Sequence, residues 1–192
     1  EWRDRLFVRG IRGKGGANSY RAELEGLQRG TLVYSDRKYT FTELPEILAG
    51  ATHIRTHNKD KSSKDPKFLH FEINISATLY LAYDDRYQAP DKLVADMQKT
   101  DLSLRMSNGE TFDLYRREVT PGEIVLGGNK LGGSGGESMY QVFLTKAATT
   151  KTTLAAAKAA LAKADLKHGE EIFFGRGTCF ACHKVGDRGV AI

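Results

Sequence analysis

Apolar and polar residues alternate most cleanly between Leu69 and Tyr83. Leu69, Phe71, Ile73 and Ile75 interleave with His70, Glu72 and Asn74, and Ala77, Leu79, Leu81 and Tyr83 resume the pattern after Ser76. A period of two places the apolar side chains on one face of an extended backbone, so this stretch predicts two strands with a buried face. Thr31 to Phe41, Thr111 to Arg117, Glu123 to Leu126 and Met139 to Thr145 supply further strand candidates, separated by clusters of Gly, Asn, Asp and Pro. A short helix is predicted from Pro90 to Met97, with proline near its first turn and Leu93, Val94 and Met97 at helical spacing. Strands with turn signals between them predict a mainly β chain, an antiparallel β-sandwich over residues 26–145.

The two ends read differently. Over residues 1–25, Trp2, Leu6, Phe7, Val8 and Ile11 are apolar, but Gly10, Gly13, Gly15 and Gly16 interrupt them. A strand and loop, or the tail of a preceding domain, is expected there. Arg12 to Gly16 lacks the strand–loop–helix setting and the Lys-Ser/Thr ending of a phosphate-binding loop. Over residues 146–164 a threonine run gives way to Leu154-Ala155-Ala156-Ala157-Lys158-Ala159-Ala160-Leu161. High helix propensity and a thin stripe of Leu154 and Leu161 predict a helical linker acting as a semi-rigid spacer.

Composition adds limits. The chain has 192 residues, 40% hydrophobic and 28% charged, which is the balance of a globular chain with room for one substantial domain and a smaller piece. The formal charge of +5 is spread among interleaved acids. No basic helix or nucleic-acid motif appears, so a solvated basic surface is expected and no nucleic-acid partner. Lys59-Asp60-Lys61-Ser62-Ser63-Lys64 reads as a polar loop. No apolar run approaches the ~18 residues of a membrane-spanning helix.

The most specific chemistry lies in Cys179-Phe180-Ala181-Cys182-His183. C-x-x-C-H is the attachment signature of c-type haem: two thiols form thioethers to the porphyrin, and the adjacent histidine becomes the proximal iron ligand. Zinc is a poorer reading, because only two cysteines are present and zinc usually takes four ligands. A redox dithiol is poorer too, because no βαβ pattern surrounds the pair. From Asp165 onward, with Gly169 and Phe173 one turn apart on an amphipathic stretch and Gly175-Arg176-Gly177-Thr178 leading into the signature, the chain resembles the opening of a class I cytochrome c domain. The resemblance implies a first helix and haem-attachment loop over residues 165–192. It implies covalent haem c on Cys179 and Cys182, with His183 as proximal ligand. It further implies maturation outside the bacterial cytoplasm, hence a periplasmic or extracellular location. The signature ends nine residues before Ile192 and the chain opens on Glu1 without a signal peptide. A fragment of a larger exported protein is therefore expected, with one side of the haem exposed.

A second resemblance covers the sandwich. Ile54-Arg55-Thr56-His57-Asn58-Lys59-Asp60-Lys61, Leu79 to Arg86, Val125-Leu126-Gly127-Gly128-Asn129 and Ser138-Met139-Tyr140 form an ordered series. This series is similar to a β-sandwich module of secreted bacterial proteins, often beside polysaccharide-active enzymes. It implies no catalytic set.

Other candidate residues are less specific. Asp84, Asp85 and Arg86 follow a strand and could bind a cation or a sugar hydroxyl; a strand-end turn with an arginine ion pair is the simpler reading. The alternation puts Asp84 opposite Tyr83. His53, His57 and His70 have no metal-ligand spacing, and His53 is expected to face solvent. Tyr34, Tyr39, Tyr80, Tyr87, Tyr115 and Tyr140 could stack on sugars but suit a sheet equally. The Gly132–Gly136 run reads as a flexible loop. There is no nucleophile elbow and no carboxylate pair at a glycosidase separation.

The sequence thus predicts electron transfer through haem in a multidomain protein, with a redox partner protein or dehydrogenase domain. The arrangement resembles the large haem-binding proteins of planctomycetes. These residues themselves are expected to be non-catalytic, while the parent protein belongs with oxidoreductases. The alternative is a β-sandwich that binds carbohydrate or protein, with a polysaccharide as partner.

Overall fold

The computed structural model describes residues 5–13, 20–133 and 135–147, together with the backbone of 184–185 and 188–189. The chain divides into two units, Glu1–Ala147 and Ala148–Ile192. In the second, Lys184–Val185 pairs antiparallel with Arg188–Gly189. The predicted linker helix, the cytochrome-like first helix and the signature residues Cys179, Cys182 and His183 lie outside the described residues, as does Trp2.

The first unit is mainly β, built from antiparallel sheets. Its strands are β1 (Val8–Gly13), β2 (Arg21–Glu23), β3 (Phe41–Glu43), β4 (Thr52–Arg55), β5 (Leu69–Ile73) and β6 (Ala77–Asp84), followed by β7 (Gln98–Met106), β8 (Thr111–Val119), β9 (Gly122–Leu126) and β10 (Gln141–Lys146). Seven of them form one sheet in the order β2-β4-β10-β6-β8-β7-β3; the other three form a second sheet, β1-β5-β9. One turn of helix, α1 (Asp91–Val94), starts after Pro90. It is shorter than the Pro90–Met97 helix predicted, because Met97 already leads into β7.

The register assigns the faces. Leu79 and Leu81 of β6 stand opposite Leu144 and Val142 of β10, whereas Tyr80 stands opposite Phe143 and Arg116. The Leu81 face lies towards the small sheet: Tyr140 shares it and its hydroxyl donates to the Gly127 carbonyl at 3.0 Å, just past β9. The Tyr80 face is covered by the chain's own earlier segment. The large sheet curls until Phe41, on its β3 edge, meets the His53 ring at 5.3 Å and the Phe143 ring at 5.7 Å. Bridges Leu32↔Thr40 and Tyr34↔Thr56 complete the curl. All eight residues of β6 are therefore buried.

This double coverage corrects two expectations. His53 does not face solvent; it is fully buried, because β4 is covered on both faces. The strand expected from Thr31 to Phe41 is an irregular bridging segment, and only Phe41–Glu43 is regular strand. Within residues 1–25, a strand and loop of the kind expected are present among the described residues. β1 pairs with β5, β2 pairs with β4, and Leu6 and Tyr20 belong to the core. The sequence reading also passed over β7, whose burial is confined almost to Leu104 and Met106, so it shows no long apolar alternation.

Candidate functional site

The four segments quoted for the sandwich resemblance converge on one polar network. Asn129 is its hub. Its side-chain amide donates to the carbonyls of Gly136 at 3.1 Å and Ser138 at 3.2 Å, and its Oδ1 accepts from the Tyr140 amide at 3.0 Å. The Asn58 side-chain oxygen accepts from the Met139 amide at 3.0 Å. The Tyr83 hydroxyl donates to the Asn129 carbonyl at 2.8 Å and accepts from the Gly136 amide at 2.6 Å. The Asn129 side-chain bonds close the segment between β9 and β10 on itself, and the Asn58 and Tyr83 bonds fasten it to the rest of the sandwich. Gly135 serves close approach: a Cβ there would stand 2.6 Å from the Tyr83 hydroxyl. The flexible-loop reading is corrected at Gly135 and Gly136, which are buried and held.

The Asp84–Asp85–Arg86 candidate is part of the same structure. Asp84 is fully buried, and its carboxylate accepts two hydrogen bonds from the Arg86 guanidinium, at 2.8 and 2.7 Å. Arg86 also reaches Glu110 at 2.8 Å, whose other oxygen accepts from the Ser138 hydroxyl at 2.6 Å. The strand-end ion pair is what forms. Asp85 turns outward, and its pKa is raised by desolvation and by the charges of Asp113 and Asp84. Both Asp84 oxygens accept from Arg86, and the carboxylate is closed off from solvent.

A Ser–His–Asp grouping that the sequence did not suggest occurs where residues 35–36 meet His57. His57 Nδ1 lies 3.0 Å from the Ser35 hydroxyl, and Nε2 lies 3.6 Å from Asp36. Its chemistry is structural. The Ser35 hydroxyl donates to the Thr56 carbonyl, and Asp36 accepts from the Asn58 amide at 2.7 Å and from Arg37. A nucleophile needs its proton to be transferable to the base, and here that proton is held by a backbone carbonyl. His70 bonds to Glu123 and to the Lys67 carbonyl. Among the described residues, no three His, Cys, Asp or Glu side chains come together as a metal site.

His53 is the unusual histidine. It stacks on Phe143 at 5.1 Å, and its Nε2 lies 3.1 Å from Gln141 Oε1. The Gln141 amide nitrogen donates to the Thr56 hydroxyl and to the Met139 and Tyr140 carbonyls, so its oxygen must face the ring. His53 therefore carries its proton on Nε2. Nδ1 is buried without a partner. Burial lowers its pKa to about 4.

The tyrosines make no platform. Tyr34, Tyr80 and Tyr140 are buried, and Tyr87 is the exposed one of those weighed, 40% accessible. Polar side chains instead converge at two adjoining open clefts that share Gln98 and Arg116. One, of about 210 Å³, has Tyr80 as floor and Ile47, Thr100 and Leu102 around it. The other, of about 460 Å³, is bounded by Asp96, Arg117 and Glu118. β7 and β8 place these residues through the pairing Gln98↔Arg116. The sequence reading missed this region together with β7.

No family model matches the chain, and no curated protein matches it. Among solved structures, the chain is similar to part of a β-glucuronidase from glycoside hydrolase family 2. Identity is 24% and the TM-score 0.65, over 72% of this chain and 14% of the enzyme. A family 138 glycoside hydrolase targeting pectin rhamnogalacturonan II aligns at 13% identity with a TM-score of 0.48, over 74% of this chain and 17% of that one. The first likeness is one of fold: a β-sandwich-like domain that occurs as a small portion of a much longer enzyme. No helix among the described residues is long and apolar enough to cross a membrane.

Proposed function

We propose that the β-sandwich is a non-catalytic module that holds a glycan for a larger protein. The observation that carries this reading is the pair of open clefts along β7 and β8, where guanidinium, amide and carboxylate groups stand beside exposed aliphatic side chains. Polar planar groups with an apolar surface next to them suit a sugar ring, which presents hydroxyls at its edge and C–H groups on its faces. The Asp84, Glu110 and Asp36 carboxylates and the His53, His57 and His70 rings are committed to internal bonds, which favours holding over hydrolysis. The fold likeness to a portion of a β-glucuronidase is consistent with an accessory place in a carbohydrate-active protein. A glycan array probed with the full chain tests the reading; retention on no polysaccharide would overturn it.

A second reading concerns residues 165–192 and rests on the C-x-x-C-H spacing alone. Cys179 and Cys182 would hold haem c through thioethers, with His183 as proximal ligand; the bound group would supply one-electron chemistry. This reading brings export with it, to the periplasm or beyond, and a redox partner. Two thiols and an adjacent imidazole fit the group. Expression with haem-attachment machinery should raise the intact mass by one haem, with colour that survives acid-acetone extraction. Both thiols remaining alkylatable after such expression would exclude it.

A further inference from the structure

The double cleft carries information about which sugars it suits. Arg116 Nε and Nη2 lie 3.4 and 3.3 Å from Gln98 Oε1, so an amide rather than a carboxylate orients this guanidinium. A guanidinium carries five N–H donors, so this pair leaves others for an acceptor outside it. The charges around it compensate one another. Lys99, Arg116 and Arg117 line the clefts with Asp96, Asp101 and Glu118. Arg117 is ion-paired with Asp96, Lys99 bonds Asp113 at 2.6 Å, and Glu118 accepts from the Thr78 hydroxyl at 2.9 Å. Such a surface projects little net field, so it offers a polyanion no general attraction. It does offer donors and acceptors side by side, which is what a neutral hydroxyl can use in both roles. Ile47 and Leu102 are 47% and 38% exposed beside the smaller cleft. They give a pyranose ring an aliphatic surface. The clefts are open and both are lined by Gln98 and Arg116, so an occupant reaching both extends beyond one ring.

We propose that this double cleft binds an uncharged oligosaccharide, with Arg116 and Gln98 as the central hydrogen-bonding pair. The proposal rests on the glycan-holding reading of the module and adds its site and ligand class. The test is calorimetric titration of the full chain with cellohexaose, xylohexaose, mannohexaose and hexagalacturonate. Wild-type protein should bind at least one of the three neutral hexasaccharides. Arg116→Ala and Gln98→Ala should each weaken that binding by about ten-fold or more, the loss expected for a hydrogen bond to a charged group. Arg9→Ala, which removes an exposed ion pair on the small sheet, should leave it unchanged. Binding should vary less than about two-fold between low and high salt, because no net charge is neutralised. Neutral-sugar binding that survives both cleft substitutions would overturn the site while the module reading stands. Binding of hexagalacturonate alone, or a steep salt dependence, would overturn the ligand class. Binding of no glycan on these probes or on the array would remove the module reading itself. Arg116 and Gln98 are exposed, so both variants should keep the wild-type melting profile, and a variant that does not is replaced by Arg116→Gln.

Discussion

The Tyr83 hydroxyl stands between the two ends of the β9–β10 connection, donating to the Asn129 carbonyl at 2.8 Å and accepting from the Gly136 amide at 2.6 Å. One atom thereby satisfies a buried acceptor and a buried donor that lie seven residues apart in sequence. The cost of deleting it exceeds that of an ordinary hydrogen bond, because two backbone groups are left without partners in a site closed to water.

Tyr83→Phe should accordingly destabilise the sandwich by about 2–4 kcal/mol, from two unsatisfied groups at ~1–2 kcal/mol each. Urea denaturation followed by circular dichroism reads this directly. Amide exchange should speed up at Gly136 and Tyr140 more than in β5. A loss below about 0.5 kcal/mol would mean that water enters the site and the lock is not closed.

The Asp84–Arg86 pair should behave asymmetrically. Asp84 is fully buried, while the Arg86 side chain is 48% exposed. Removing Arg86 strands a buried carboxylate, a change that costs about 3–5 kcal/mol when a buried pair is broken. Removing Asp84 releases a guanidinium that can return to water and still reach Glu110, so Asp84→Ala should cost less. The double variant should be more stable than Arg86→Ala alone. A double-mutant cycle by thermal or urea unfolding checks the order, and equal single losses would show that Asp84 is hydrated.

The regular part of this fold was legible because β5, β8 and β9 alternate in the sequence as they do in space, and β6, though buried on both faces, carries an apolar residue at every second position. β7 was not, since most of its side chains face solvent and only Leu104 and Met106 turn inward. The misplacement of His53 has a related origin. Alternation shows that His53 and Ile54 lie on opposite faces, but not that the sheet curls and buries both. That coverage comes from Phe41, contributed by a distant edge strand. The motif segments were visible as an ordered series. Their common purpose, holding one loop, depends on contacts such as Asn58 to Met139, which no local pattern encodes.

The N-terminal residues should be needed for folding. β1 pairs with β5, and the Asn74 side chain bonds the Phe7 amide and the Arg5 carbonyl at 2.6 and 2.9 Å. Leu6 is 2% exposed. Its burial alone is worth about 2 kcal/mol, and without β1 the small sheet is left with β5 and β9. A chain spanning 26–147 also loses β2 and Tyr20. It should unfold without a cooperative transition at 25 °C, or with a midpoint far below that of a chain spanning 5–147. Matching midpoints would show that residues 5–25 are dispensable for folding.

Acid should weaken the sandwich through His53. Its ring is held neutral between Phe143 and Phe41, with the one proton on Nε2 committed to Gln141. Protonation would add a hydrogen at Nδ1, where no acceptor waits, and would place a charge in an aromatic enclosure. The folded pKa is consequently lowered from 6.5 to about 4. A lowered pKa means that the unfolded chain takes up the proton first. The stability that the neutral ring contributes is complete above about pH 6.5 and is lost as the pH falls towards 4. The fall attributable to this group over that window is roughly 3 kcal/mol, at 1.36 kcal/mol for each pH unit separating the two values. Urea midpoints at pH 7.0, 5.5 and 4.0 should show it. His53→Gln keeps a donor for Gln141 but cannot be charged. It should be less stable than wild type at pH 7, through lost ring stacking, and should have a flatter dependence between pH 6.5 and 4. Parallel pH profiles for wild type and variant would mean that carboxylates elsewhere dominate the acid response and that His53 accepts a proton without unfolding.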